Sequence, residues 1–539
     1  MELLTSAQMR GIEAAAMEAG EASGLALMER AGRGVVAGVF EAWPELASAA
    51  HRALVLCGPG NNGGDGYVIA RVLEGRGWAV DVLHWGDPGA LPGDAARMRA
   101  LWGGESAEMG AAAVSGCARP DLVVDAVFGT GLTRPLPAPV AEALDVKRAD
   151  GWKQRHLIRR VAVDGPSGLN LDDGMIPLEE GEEMPRHLVM AQLTVTFHAA
   201  KLGHYLGHGP SLCGAVKVVD IGLRDRERAM ILLPPDRERV RLVVPEFLGR
   251  SEPARIWPLK LTGRYRGGAH KYEHGSVAVF AGGVGRGGAA RLAARAALRV
   301  GAGLVTVIAP KAALIENAAR LDAVMLRGLG EVSGFDEVVD ARVSGFVIGP
   351  GLGVGARTRE IVAAACARRE SDRDWRAPVV VLDADALTSF EGDPAALFGL
   401  LHERCILTPH EGEFERLFPD LGPGSGSKVE RARAAAARAG CVVLLKGGDT
   451  VIASPDGAAS VHAAAYGREV PWLATAGAGD MLAGLIAGLA ASPLSAELHQ
   501  MAEAAAWLHV ECARDFGPGL IAEDLPEVLP RVLARLEAG

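Results

Sequence analysis

The sequence predicts an α/β protein of two domains, each built on a mostly parallel sheet with helices on both faces. Three observations carry this. The chain has 539 residues, and a single hydrophobic core stops growing at about 250–300 residues, so the chain must divide. Short apolar runs rich in Val, Ile and Leu alternate with helical stretches, the pattern of strands buried on both faces. Several of those runs end abruptly in glycine-rich loops that open a helix, as a strand-loop-helix unit requires.

The elements follow in order. Thr5-x-x-Gln8 resembles a capping box, and Met9, Ile12, Ala16 and Met17 follow at helical spacing. A second helix is expected over Leu25 to Phe40. The strand Ala53 to Cys57 ends in a loop, Gly58 to Gly66, before a helix from Tyr67 to about Glu74 and a strand at Ala79 to Trp85. Strands at Leu122 to Val127 and Val161 to Val163 end in Phe128-Gly-Thr-Gly131 and Asp164-Gly-Pro-Ser-Gly168. Two more are expected at Leu193 to Phe197 and Ala215 to Ile221. Residues 224 to 255 are rich in Arg, Glu and Pro and carry no glycine loop, which places the domain boundary near residue 235, giving domains 1–235 and 236–539.

The second half restarts the alternation. Ser276 to Phe280 leads into the loop Ala281 to Gly288 and an alanine-rich helix. Strands follow at Leu304 to Ile308, Phe346 to Ile348, Val379 to Leu382, Cys405 to Leu407 and Val442 to Leu445. Thr475-Ala-Gly-Ala-Gly-Asp480 opens a helix over Met481 to Ala491. No internal repeat links the halves, so two different α/β domains are fused.

Composition bounds the function. A chain that is 49% hydrophobic and 23% charged is globular, and its net charge of −10 disfavours nucleic-acid partners. A basic stretch, Lys147 to Arg160, and an acidic one, Glu179 to Glu183, read as solvated inserts. Seven scattered cysteines without a C-x-x-C pair indicate neither a disulfide framework nor a zinc site, so a reducing cytoplasm is expected. The N-terminus lacks a signal-peptide pattern, and no run reaches the ~20 apolar residues that cross a bilayer. A cytoplasmic homo-oligomer acting on small molecules, with no nucleic acid and no membrane, is the expectation.

In an open α/β sheet the strand C-termini converge on one crevice. Gly58-x-Gly60-x-x-Gly63 formally matches the dinucleotide fingerprint, but Asp81 falls mid-strand rather than at the strand end where a ribose-binding acid belongs. Asn62, Asp125, Asp164 and Ser167 offer only oxygen ligands, which suits a hard cation. Asp125 and Asp164 close together would also poise one carboxyl for acid–base work; turn capping would account for either one alone. In the second half, the backbone N–H groups at Gly477 to Gly479 and the helix dipole form an anion site, with Asp480 beside it as a base. Lys446-Gly447-Gly448-Asp449-Thr450 reads as a turn for nucleotide phosphates or as a plain hairpin turn with an exposed lysine.

Gly-Asn-Asn-Gly-Gly-Asp-Gly, Asp125 to Gly131, Val163-Asp164-x-Pro-Ser-Gly168 and Thr196-Phe197 with Lys201-x-Gly203 occur in the order typical of the YjeF N-terminal domain. Residues 1 to about 230 thus resemble the NAD(P)HX epimerases, with a Rossmann-like three-layer sandwich. The resemblance implies a substrate site at Asn61, Asn62, Gly63, Gly64 and Asp65, and at Gly129, Thr130, Gly131, Leu132, Thr133, Arg134 and Pro135. It implies a potassium ion held by Asn62, Asp125 and Ser167, and a substrate-contacting Asp164. Lys201 is added as a phosphate or catalytic candidate. Gly165 stands where that family usually has an apolar residue.

Gly349-Pro-Gly351-Leu-Gly353, Leu382-Asp-Ala-Asp385, Thr408-Pro-His410-x-Gly412-Glu413 and the Asp480 motif resemble the ribokinase-like, ADP-dependent NAD(P)H-hydrate dehydratases over roughly 250 to 535. That resemblance implies Mg²⁺ and ADP, with the nucleotide at Lys446 to Thr450 and Gly479. It implies NADHX and NADPHX near Ala281, Gly351, His410 and Asp480. His270-Lys271-Tyr272 departs from the usual His-Lys-Gly. Two alternatives stay open at this point: a small-molecule kinase of the ribokinase superfamily, and an N-terminal domain serving as a binding scaffold in RNA processing.

Overall fold

The computed structural model describes residues 1–145, 152, 155–179, 190–223, 239–244, 270–368, 377–492 and 497–538. The chain forms two compact units, residues 2–235 and 236–539. The expected boundary, half of the Lys147–Arg160 stretch and most of the Glu179–Glu183 stretch lie outside the described residues.

Among the described residues, the N-terminal unit holds a seven-stranded parallel sheet: β1 (Arg52–Cys57), β2 (Ala79–His84), β3 (Ala107–Glu108), β4 (Leu122–Ala126), β5 (Arg159–Val163), β6 (Leu193–Phe197) and β7 (Ala215–Val219). The order is β3-β2-β1-β4-β5-β6-β7. The chain winds outward from β1 and then returns to β4, so the topological switch lies between those two neighbours, and their loops form the crevice. Helices α1 (Ser6–Glu18), α2 (Gly24–Ala42) and α3 (Asn61–Glu74) cover the sheet. The capping box at α1 is formed: Gln8 N–H donates to Thr5 Oγ1 at 3.2 Å and Thr5 N–H to Gln8 Oε1 at 2.8 Å. Val55, Val124, Val163 and Val195 are wholly buried at the centre of this unit's core.

One expectation is corrected here. Helix α3 begins at Asn61, six residues before the expected Tyr67. Three of its early residues are glycines because the helix starts pressed against the sheet. A Cβ at Gly63 would lie 1.9 Å from Gly58 O, and one at Gly66 would lie 2.7 Å from Cys57 Sγ. The glycine run that reads as a loop is a close-packed helix start.

The C-terminal unit holds β8 (Val240–Leu242), β9 (Ser276–Phe280), β10 (Leu304–Pro310), β11 (Met325–Leu329), β12 (Gly345–Ile348), β13 (Val379–Leu382), β14 (Cys405–Leu407), β15 (Val442–Leu445), β16 (Asp449–Ala453) and β17 (Ala459–Ala463). They run in the order β8-β17-β16-β15-β14-β13-β12-β9-β10-β11, parallel except where β16 pairs antiparallel with β15 and β17. The switch point lies between β9 and β12. Helices α4 (Gly288–Val300) and α5 (Ala478–Ala490) pack together so closely that a Cβ at Gly484 would lie 2.1 Å from Ala293 O. Their alanines and glycines permit that approach, which sets the N-terminus of α5 above the strand tips.

Candidate active sites

At the N-terminal switch point a cavity of about 640 Å³ opens between the loops after β1, β4 and β5. Asn61, Asn62, Asp65, the segment Gly129 to Arg134, and Asp164 line it. Three loops meet at one spot: a Cβ at Gly129 would lie 3.1 Å from Asn62 Oδ1 and 3.3 Å from Asp164 Cβ. Gly63 and Gly64 face the packing instead, Gly64 against Met28, and Pro135 is not among the lining residues.

Asp164 follows β5 with a φ of 63°, the left-handed region that non-glycine residues rarely adopt. His204 holds it there. The His204 Nδ1 accepts from Lys201 N–H at 3.0 Å, so Nε2 carries the hydrogen and donates to Asp164 O at 2.8 Å. Burial, then the nearby Lys201 charge, pushes the imidazole down to about 4, so it stays neutral. On the side chain, Thr196 Oγ1 donates to Asp164 Oδ1 at 2.7 Å and Lys201 Nζ donates to the same oxygen at 2.8 Å. Burial alone would raise the Asp164 carboxyl, but Lys201 and Thr196 outweigh it and hold the group below the usual carboxylate range.

Lys201 is therefore not a phosphate contact. It is 1% exposed, and its ammonium is spent on Asp164, on Thr196 Oγ1 at 2.8 Å and on Phe197 O at 3.2 Å. It positions Asp164 from behind.

Asp125, at the end of β4, is bound to Ser167. Ser167 Oγ donates to Asp125 Oδ1 at 2.6 Å, and Ser167 N–H to Oδ2 at 2.8 Å. Burial raises the Asp125 carboxyl to about 6 against the pull of those bonds. The buried Asn62 Nδ2 has no hydrogen-bond partner.

In the C-terminal unit the switch-point loops interlock. A Cβ at Gly282 would lie 1.9 Å from Gly351 O, and one at Gly349 would lie 1.7 Å from Asp383 O. Ala281 is 1% exposed. Gly477 caps α5 with a φ of 92°, and a Cβ at Gly479 would lie 3.5 Å from Lys446 Nζ and 3.7 Å from Asp383 Oδ2. Lys446 Nζ donates to Asp383 Oδ1 at 2.7 Å and lies 3.9 Å from Glu413 Oε2. Lys446, Gly479, Asp383 and Asp480 thus gather at the start of α5, where free backbone N–H groups and the helix dipole favour negative charge. Burial, with Asp383 adding to it, raises the Asp480 carboxyl to about 7.

The remaining expected residues sit nearby in different roles. The Lys446–Thr450 segment is a hairpin turn between β15 and β16, yet its lysine is paired rather than exposed. Asp449 is bound by Lys428 at 2.7 Å, and Thr450 Oγ1 donates to Gly447 O at 2.9 Å, so both close the turn. His410 Nδ1 accepts from Gly412 N–H at 3.0 Å as a helix cap, and its side chain is 56% exposed.

Known proteins resemble both halves of the chain. Residues 277–531 match the family described as NAD(P)H-hydrate dehydratase, and residues 24–203 match the YjeF-related protein N-terminus. A bifunctional NAD(P)H-hydrate repair enzyme of Moorella thermoacetica is 34% identical, with the alignment covering 100% of this chain and 97% of that protein. The chain belongs to the bifunctional NAD(P)H-hydrate repair enzymes. An NAD(P)H-hydrate epimerase of Roseobacter litoralis is 41% identical over 41% of this chain and 99% of its own length. The solved ADP/ATP-dependent NAD(P)H-hydrate dehydratase of Bacillus subtilis is 26% identical over 55% of this chain and 99% of its own, with a TM-score of 0.44. Membership in this repair family removes the stand-alone kinase and scaffold alternatives. Among the described residues no helix is long and apolar enough to cross a membrane, and all seven cysteines are free.

Several residues of this repair enzyme escaped the sequence reading. Thr196 stood inside a motif without a role. Asp383 and Glu413 did as well, although the Leu382-Asp and Gly412-Glu413 runs at strand and helix ends were the available signals. Arg10 and Glu13 line the N-terminal cavity from α1; the only hint was that Glu13 lies one helical turn beyond buried Met9.

Proposed function

We propose that the two clefts perform successive steps of one repair. The N-terminal cleft interconverts the R and S forms of NAD(P)HX; the C-terminal cleft dehydrates the S form to NAD(P)H, consuming ADP and releasing AMP and phosphate. The observation that carries this reading is the opposite tuning of two carboxylates, one in each unit. Asp164 is held ionised by Lys201, whereas Asp480 is poised near neutrality.

In epimerisation the C6 hydroxyl departs as the ring nitrogen lone pair forms a C=N bond, leaving a cationic ring that water re-enters from either face. Ionised Asp164 stabilises that cation. The bonds from Lys201 and Thr196 both fall on Oδ1, which leaves Oδ2 for the ring. The oxygens of Asn62, Asp125 and Ser167 would suit a potassium ion, and Asn62 Nδ2 makes no hydrogen bond that would resist turning the amide oxygen inward. Such an ion would supply fixed positive charge beside the anionic nucleotide.

In dehydration Asp480 takes the proton of the C6 hydroxyl as that oxygen attacks the β-phosphorus of ADP and the bond to AMP breaks. Lys446 and the N–H groups at Gly477 to Gly479 hold the transferring phosphoryl group. Phosphate then leaves C6 with the bonding pair while C5 loses a proton, restoring the dihydronicotinamide. Among the described residues no group of three or more His, Cys, Asp or Glu side chains is placed to hold a metal, so Mg²⁺ would arrive on the nucleotide phosphates.

The test is stoichiometric. Purified protein given S-NADHX and Mg²⁺-ADP should release one AMP and one phosphate for each NADH formed. NADH formation that proceeds without AMP release would refute the phosphorylation route.

A further inference from the structure

Helix α1 begins before the matched YjeF segment and forms one wall of the epimerase cavity. It is fastened at its foot. Leu4 N–H donates to Ala200 O at 3.0 Å and Leu202 N–H to Leu4 O at 3.2 Å, so the residues leading into α1 are stitched on both sides of Lys201. Met9 and Ile12 are buried, and this fixes the helical face that turns Arg10 and Glu13 toward the cavity. A Cβ at Gly131 would lie 3.5 Å from Arg10 Nη1, which marks how near that wall stands to the substrate loop.

We propose that Glu13 is a catalytic residue of this cleft, the carboxyl that gives a proton to the departing C6 hydroxyl and takes one back when water returns. The inference rests on the epimerase reading and supplies the part that reading lacks. Loss of hydroxide from C6 needs a proton donor, and Asp164 is committed elsewhere: Lys201 and Thr196 bond its Oδ1 and keep it ionised. Asp65 also lines the cavity but is 8% exposed, so it exchanges protons poorly with bulk water. Glu13 is on the cavity wall and partly open to solvent, which a proton carrier between substrate and water requires.

The step balances within the cleft. The protonated Glu13 gives its hydrogen to the C6 oxygen; the C–O bond breaks toward oxygen and releases water. The ring nitrogen lone pair becomes the second bond of C=N, and Glu13 is left as carboxylate. Water then adds to the other face of C6, the C=N pair returns to nitrogen, and the added water gives its proton to Glu13. No oxidant or reductant is needed.

The charges that act on Glu13 come from several elements: Arg10 from its own helix, Asp65 from α3, Asp164 from the loop after β5 and Lys201 from the segment after β6; Asp94 and Arg134 line the same cavity. Burial raises the Glu13 carboxyl, Lys201 and Arg10 pull it down, Asp164 pushes it up, and the net direction is upward. This agrees with a group that carries a proton nearer neutrality than an ordinary glutamate does.

The experiment uses the full chain, isolated R-NADHX and chromatographic separation of R from S. Glu13→Gln should lower the initial R-to-S rate about hundredfold, the usual scale of a lost general acid. KM should change little; wild type should lose rate as pH rises into the alkaline range, and this fall should be absent in Glu13→Gln. Glu13→Asp should recover part of the rate. A urea-unfolding transition of the N-terminal unit that matches wild type shows that the Gln variant is folded. A Gln variant that epimerises at the wild-type rate with the wild-type pH profile overturns the proposal. Loss of the alkaline limb in Asp65→Asn but not in Glu13→Gln also overturns it, by moving the proton to Asp65. If wild type itself fails to convert R to S, the epimerase reading falls first and this inference falls with it.

Discussion

Lys201 Nζ lies 2.8 Å from Asp164 Oδ1, with the two side chains only 1% and 10% exposed. A buried pair of this kind becomes costly when one member is removed, because the other charge stays behind without a partner.

Lys201→Met therefore tests both stability and chemistry. It should destabilise the N-terminal unit by about 3–5 kcal/mol in urea unfolding and abolish epimerisation. The sign with pH follows from Asp164, whose carboxyl is depressed in the folded state. The pair stabilises fully above the ordinary aspartate value of about 4 and loses that contribution as pH falls through the lower folded value. The difference between wild type and Lys201→Met should be large at pH 7 and shrink in acid. A constant difference over that range would contradict the pairing.

Gly129→Ala addresses the shape of the cavity. Its added methyl would sit 3.1 Å from Asn62 Oδ1 and 3.3 Å from Asp164 Cβ, tight contacts that the loop can relieve by small shifts. The melting temperature should hold while KM for R-NADHX rises about tenfold, roughly 1.4 kcal/mol of lost binding. An unchanged KM would move the substrate away from the meeting point of the three loops.

Asp480 gives the opposite pH behaviour. Its carboxyl is raised to about 7, by burial first and Asp383 second, and a base must be ionised to act. Dehydration should climb with pH through about 7 and level off above it. A raised aspartate favours the folded state most at low pH and loses that contribution as pH rises toward 7. Asp480→Asn should thus abolish NADH formation yet melt higher than wild type at pH 8, with no gain at pH 4. Thermal scans at the two pH values check this.

Much of the architecture was legible because strands buried on both faces advertise themselves as Val- and Leu-rich runs, as in Leu122 to Ala126 and Val379 to Leu382. The start of α3 was not legible. Gly63, Gly64 and Gly66 look like loop residues, and only the approach of Gly58 O and Cys57 Sγ shows why a helix needs them. Asp164 and Asp480 could be singled out from glycine turns at strand and helix ends. The place of Lys201 could not, since a lysine in sequence carries no mark of being 1% exposed. Glu13 was hidden for a similar reason: the face of α1 that meets the cavity is decided by the docking of Leu4 beside Ala200 and Leu202, a contact nearly two hundred positions away in the chain.

The most direct test supplies an equilibrated mixture of R- and S-NADHX with ADP and Mg²⁺ and follows the return of NADH absorbance. Wild type should convert the mixture completely, Asp164→Asn should stop after a burst equal to the S fraction, and Asp480→Asn should produce nothing. Complete conversion by Asp164→Asn at the wild-type rate, or any sustained NADH formation by Asp480→Asn, would contradict the division of labour between the two clefts.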